Sequence, residues 1–296
     1  MTAGGADTGP SRGGPRTLGF VIVPALVVAA VALYPLLYNI WISLHVNNLS
    51  QADGEFAGLL NYRNVFAFDD FWSVLRTTLI WTLGSIAVQF VIGFVAALAL
   101  DTGIRGAGVI RALLLTPWVM PGVVIGAVWL AIYHPISGLL TEVLGWFGAD
   151  GVDLLGRSST ALPAVIFANV WKGFPFWMLM ISAGLRAIPS ELHEAAAMDG
   201  ASYRQRIRAV VLPGLSTVLA LTGTLAFIWT FNYFDLIYTL TSGGPNGATS
   251  TVPFLIWQTS FQFNRLDEGA AQSVLTFALM AVAIGSYLRV SKATAR

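Results

Sequence analysis

Six runs of predominantly apolar residues divide this chain, and few folds accommodate that pattern. They fall at about 18–43, 75–100, 110–133, 161–185, 209–238 and 269–289. A helix needs ~20 mostly apolar residues to cross a bilayer core, so each run is long enough for one passage. Only 10% of residues are charged against 56% hydrophobic, and mean hydropathy is +0.71. Soluble domains carry about 25% charged residues, and a soluble chain of this composition would expose large apolar patches. The runs do not alternate apolar and polar residues as barrel strands do. The sequence predicts an all-α polytopic membrane protein with six transmembrane helices.

Basic residues set the expected orientation, because Lys and Arg gather in cytoplasmic loops. With the N-terminus inside, eleven of them lie inside: Arg12, Arg16, Arg105, Arg111, Arg186, Arg204, Arg206, Arg208, Arg289, Lys292 and Arg296. The other five are Arg63, Arg76, Arg157, Lys172 and Arg265. Outer loops carry Asp53, Glu55, Asp69, Asp70, Glu142, Asp150 and Asp153. Both termini are therefore expected in the cytoplasm. Residues 1–16, rich in Gly, Pro, Ser and Thr, read as a disordered leader, with one transmembrane domain over 17–296. Arg12 and Arg16 precede an apolar run containing Ala30-Val31-Ala32, as in a cleaved signal peptide. That run continues well past this point and further spans follow, which favours an uncleaved first helix.

Prolines interrupt three of the runs: Pro24 and Pro35, Pro117 and Pro121, Pro163 and Pro175. Each lacks an amide donor and presses on the preceding turn. Broken helices persist in lipid only where protein or an aqueous cavity satisfies the freed carbonyls, which favours a transporter over a passive anchor.

Between the fourth and fifth runs lies a charged, helix-prone island, with Arg186, Arg204, Arg206 and Arg208 around it. Ser190 after Pro189 is placed to cap a helix, Glu191 and Glu194 suit its positive first turns, and Gly200 suits a left-handed end. Leu192, Ala195, Ala196 and Met198 offer small or slender contact surfaces, bordered by Asp199 and Arg204 to Arg208. Glu194-Ala195-Ala196, three residues, Gly200, nine residues, then Val210-Val211-Leu212-Pro213 resembles the "EAA" loop of ABC importer permeases. Val210 stands where that family usually has Ile. The resemblance implies a type I ABC importer permease fold, with 186–208 as a coupling loop docked in a groove of a separate ATP-hydrolysing subunit. Glu191, Glu194, Ala195, Ala196, Met198, Asp199, Gly200, Leu212 and Pro213 are its expected coupling residues.

Further stretches resemble carbohydrate ABC permeases: Trp171-Lys172-Gly173-Phe174-Pro175-Phe176-Trp177, Ala183 to Pro189, and Phe234 to Pro245, with Asn61-Tyr62 fitting more weakly. Together they cover nearly the whole chain after residue 18. The resemblance implies an importer of a sugar or sugar derivative in a bacterial cytoplasmic membrane. The implied partners are a second homologous permease, an ABC ATPase dimer that uses ATP and Mg, and an extracytoplasmic binding protein. Glycerol 3-phosphate, a glycerophosphodiester, a polyamine or another small solute is the alternative cargo. An ion-coupled carrier with Lys172 and Asp235 as relay is the competing class.

Lys172 falls near the middle of the fourth run, where an ammonium costs a few kcal/mol and needs protein or water around it. Asp235 is its expected partner. Lys172 reads equally as a residue of the substrate path or as one holding two spans together. Asn169, Asn232 and Tyr233 offer hydrogen bonds to sugar hydroxyls, and Trp171, Trp177, Trp229 or Phe231 offer stacking faces. Gln89 reads as interhelical glue.

Absences narrow the function. There is no cysteine, hence no thiolate metal site. The only lysines, Lys172 and Lys292, lack a phosphate-loop context, so ATP hydrolysis is expected elsewhere and no cofactor on this chain. His45, His134 and His193 are scattered, no carboxylate pair fits glycosidase chemistry, and no basic patch suggests nucleic acid.

Overall fold

The computed structural model describes residues 15–46, 54–67, 69–148 and 151–294. Residues 1–14 of the expected leader, with Arg12, and Asp53, Asp150 and Arg296 lie outside the described residues, as do the side chains of Arg16, Asp69 and Lys292, while Pro15 and Arg16 already belong to α1. The helices are α1 (Pro15–Ser43), α2 (Leu60–Ala67), α3 (Asp69–Asp101), α4 (Ala107–Val119), α5 (Gly122–Ile132), α6 (Leu139–Gly145) and α7 (Ser158–Arg186). There follow α8 (Ser190–Met198), α9 (Tyr203–Arg206), a π turn at Ile207–Val211, α10 (Leu212–Gly214), α11 (Ser216–Phe231) and α12 (Asp235–Leu240). α13 (Val252–Trp257), a second π turn (Gln258–Gln262) and α14 (Leu266–Thr294) complete the described residues. One small exception to the all-α expectation is an antiparallel pair, His45–Val46 with Glu55–Phe56.

α1, α3, α7 and α14 each contain a stretch long and apolar enough to cross a membrane alone. The other two expected spans are broken. The run at 110–133 divides into α4 and α5, bent by 98°, and the run at 209–238 bends by 68° between α10 and α11. The latter stops at Phe231 and resumes as α12 at Asp235.

Proline alone does not predict these breaks. α1 keeps Pro24 and Pro35, and α7 keeps Pro163 and Pro175, as unbroken helices. At 117–121 two prolines stand four apart, so Pro121 has no amide to donate to the carbonyl of Pro117. Met120, the residue before a proline, turns extended with ψ 141°. In the later span the π turn immediately precedes Leu212-Pro213, and such turns are frequent at functional places in helices.

α3 and α7 are the most extensively packed pair. Small residues allow the approach: a Cβ on Gly93 would sit 2.5 Å from Trp177 Cβ and 2.9 Å from the Phe174 carbonyl oxygen. Trp81 fills the space between α3 and α11 and donates its indole N–H to the Thr230 carbonyl at 2.9 Å. Tyr133 donates to the Ala164 carbonyl at 2.9 Å, tying the end of α5 to α7. One cluster around Trp81, Ile125, Trp129 and Leu236, and another around Trp177, Met178, Ile181 and Leu215, form the core.

α1 packs mainly on α14, and its other faces are exposed. Its end is held by α2. Buried Asn61 donates to the Ser43 carbonyl at 3.0 Å and the His45 carbonyl at 2.9 Å, and the Tyr62 and Ser43 hydroxyls lie 2.7 Å apart. Asn61→Ala leaves two acceptors without their donor, at about 1–3 kcal/mol for a buried unsatisfied group. A lower melting temperature of the detergent-purified protein, with faster proteolysis after α1, is the expected result; an unchanged melt would contradict the clamp.

Candidate functional site

Two regions concentrate polar groups that the fold does not fully use. The first is a cavity of about 420 Å³ among α3, α4, α7 and α11. Asn169, Lys172, Gly173 and Phe176 line it from one face of α7, at the i, i+3, i+4, i+7 spacing that aligns side chains on a helix. Gln89, Trp118, Trp229, Asn232 and Tyr233 enclose it from the other elements.

Aromatic rings make one wall. Phe176 lies 5.0 Å from Trp229 and 5.9 Å from Trp118, the latter pair stacked. Amides make another: Gln89 donates to the Asn169 carbonyl at 3.0 Å, while the Asn169 amide nitrogen is buried without a hydrogen-bond partner. Asn232 donates to the Ile228 carbonyl at 2.8 Å, and the Tyr233 hydroxyl is buried and unpartnered.

Lys172 does not form the ion pair expected with Asp235: among the described residues only Arg265 and Glu268 pair in this way. Its ammonium donates instead to the Met120 carbonyl at 3.2 Å and lies 5.7 Å from the centre of the Tyr233 ring. The physical reason is the break after α4. A helix C-terminus leaves carbonyls without donors and carries partial negative charge, and Lys172 answers both. Asp235 starts α12 and packs beside Gly122, where an added Cβ would meet the Tyr233 hydroxyl at 2.5 Å and Asp235 Oδ2 at 3.0 Å.

Asn169, Lys172, Trp229, Asn232 and Tyr233 thus come together around one cavity; Trp171, Trp177, Asp235 and Phe231 do not line it. Trp171 packs edge-on to Trp129 at 5.8 Å, Trp177 is buried against Phe90 at 5.3 Å, and Phe231 is a core residue. Sequence reading missed Trp118 and Phe176 as lining residues and gave Gln89 only its interhelical role. The helical spacing from Lys172 to Phe176 carried that signal; Trp118 carried none, because it reaches the cavity through the packing of α4 on α7.

The second region is α8 with its flanks. Pro189, not Ser190, occupies the N-cap position, and no side chain caps that end. Gly200 has φ +74°, and the Ala201 and Gly200 amides donate to the Ala196 and Ala197 carbonyls at 3.0 Å each. That pair of bonds is a Schellman ending, which needs the left-handed residue. The following turn starts on a capping box between Ser202 and Gln205, unforeseen in the sequence. Glu191, Glu194, Ala195, Met198 and Asp199 are exposed, with Met198 at 89% and Leu192 at 51%. Within this chain α8 touches chiefly α9 and the π turn that leads into Leu212-Pro213.

Comparison with known proteins decides the family. The family described as "Binding-protein-dependent transport system inner membrane component" matches residues 89–291. The chain belongs to that family. It is 36% identical over 280 residues to the trehalose/maltose transport system permease protein MalF of Thermococcus litoralis, covering 93% of this chain and 94% of that one. It is 34% identical to the trehalose transport system permease protein SugA of Mycobacterium tuberculosis, covering 96% and 92%. Among solved structures, a bacterial ABC transporter involved in importing alginate superposes with a TM-score of 0.81 at 19% identity, over 93% of this chain and 94% of that one, which shows a shared fold. The chain is thus an ABC transporter permease, a membrane-spanning and non-catalytic kind of subunit.

Proposed function

We propose that this permease is one half of an ATP-driven importer that moves a sugar or sugar derivative inward by alternating access. The observation that carries the reading is the cavity beside two broken spans, with Trp118, Phe176 and Trp229 as stacking faces and Asn169, Asn232 and Tyr233 as hydrogen-bonding groups. Binding sites of this kind combine apolar walls with a few placed polar groups. The carbohydrate named in each of the two relatives above supports the cargo class.

The partners follow from the same reading: a second permease across the path, an ATPase pair that supplies the energy with ATP and Mg, and an extracytoplasmic binding protein. A structurally similar bacterial alginate ABC transporter, solved in complex with an alginate pentasaccharide-bound periplasmic protein, supports the last. α8 is the coupling helix in this proposal, with Glu191, Glu194, Ala195, Ala196, Met198, Asp199 and Gly200 at the ATPase and Leu212-Pro213 carrying the motion into α11. Arg105, Arg186, Arg204, Arg206 and Arg208 near that end support placing it, and both termini, in the cytoplasm.

The test is uptake of radiolabelled trehalose and maltose by the complex reconstituted with its ATPase, second permease and binding protein. ATP-dependent accumulation is expected, with Trp229→Ala and Asn232→Ala each lowering it by about tenfold through loss of ~1.4 kcal/mol of contact. Transport by this chain alone in liposomes without ATP would sink the proposal.

A further inference from the structure

We infer that Lys172 is a positioning residue that ties the two broken spans to each other across the cavity. Three observations meet at its ammonium. It donates to the Met120 carbonyl, the last group before Pro121 and the 98° bend. On its other side it faces the ring of Tyr233, in the gap between α11 and α12. Gly122, the first residue of α5, packs directly against Tyr233 and Asp235, so the two gaps are adjacent as well as bridged.

Gaps in helices are where a membrane protein deforms at least cost, because the ladder of hydrogen bonds is already interrupted there. α5 and α12 pack on each other beyond the gaps, while α4 packs on α7 before them. Lys172 sits on unbroken α7 and contacts both gaps, so a change of angle at either must move or release the ammonium. Met120 offers a full acceptor and Tyr233 a π face; with both engaged, the charge is committed to the scaffold. The cavity wall and the angles of two spans then shift together, which is what alternating access demands of a cargo site.

This role presupposes the importer reading, and the experiment keeps the two apart. The chain has no cysteine, so cysteines placed at exposed Val119, the end of α4, and exposed Leu59, ahead of α2, take two spin labels at defined sites when the purified chain is labelled before assembly. In the assembled complex, Lys172→Met is expected to broaden or shift the distance distribution between the labels, and Lys172→Arg to restore it. An unchanged distribution in Lys172→Met overturns the role, whether or not sugar is moved.

Uptake of labelled trehalose supplies the second readout. Lys172→Met should lower Vmax by about tenfold or more with KM held within about twofold, the pattern of a lost step rather than lost ground-state binding. A raised KM with Vmax intact would make Lys172 a substrate ligand and overturn the inference. If Lys172→Met does not assemble, Lys172→Gln takes its place with the same two readouts, and Tyr233→Leu is read by the label distances alone. No uptake by the wild-type complex would fault the importer reading, leaving the label distances to decide the role of Lys172.

Discussion

Gly200→Val is expected to abolish ATP-driven uptake while the permease remains in the membrane. At φ +74° a β-branched residue is strained by roughly 1–3 kcal/mol, and that strain is relieved only by unwinding the Schellman ending. The Ala196 and Ala197 carbonyls then lose their donors and the last turn of α8 frays. The packed core of the spans stays in place, because α8 buries no residue of its own and meets chiefly α9 and the π turn. Glu194→Ala should act more mildly, since it removes a charge from an exposed helix without altering its shape. The checks are sugar uptake, recovery of the ATPase with the affinity-purified permease, and the permease level in membranes. Normal uptake and normal recovery in both variants would refute α8 as the coupling element.

Gly93→Leu should be more damaging still, and at an earlier stage. Close approach of α3 and α7 has no slack at Gly93: the nearest atoms to a new Cβ include the Met178 amide nitrogen and the Phe174 carbonyl oxygen, both at 2.9 Å. Backbone of a neighbouring helix cannot rotate aside as a side chain would, so α3 must separate from α7 along its length. Overpacking a well-filled interior costs about 1–3 kcal/mol for modest insertions and more when backbone is displaced, and small residues at helix contacts are what permit tight association in lipid. Loss of the purified complex is expected for Gly93→Leu, with a lowered melting temperature for Gly93→Ala. By contrast Gly108→Leu, at a glycine with open space around it, should leave recovery unchanged. Wild-type recovery of Gly93→Leu would contradict the packing described here.

Much of the architecture was legible in residues alone. The long apolar stretches within α1, α3, α7 and α14 can be read from the sequence, because hydropathy over ~20 residues reports the medium a helix must cross. Gly200 was readable too, since a glycine after a short polar helix has few other uses. Lys172 reads from sequence as a membrane cation needing a partner, with Asp235 as the candidate, whereas its hydrogen bond goes to the Met120 carbonyl. A backbone carbonyl leaves no trace in a sequence, so a cation that answers a helix break looks the same as one that answers a carboxylate. Trp171, Trp177 and Trp229 are indistinguishable by type; only the rotation of α7 and α11 about their axes puts Trp229 at the cavity, buries Trp177 and packs half-buried Trp171 on Trp129.

What composition and pattern decided was the solvent, the number of apolar runs and the short polar helix between them, because each follows from free energies summed along contiguous residues. What only the tertiary structure decided was where spans break and which polar groups meet across the breaks. Pro24, Pro35, Pro163 and Pro175 carry the same local penalty as Pro121, yet their helices run on. Where a helix does break, another element must answer the carbonyls left open at its end, as Lys172 does for Met120, and which element stands there is a property of segments brought together in space.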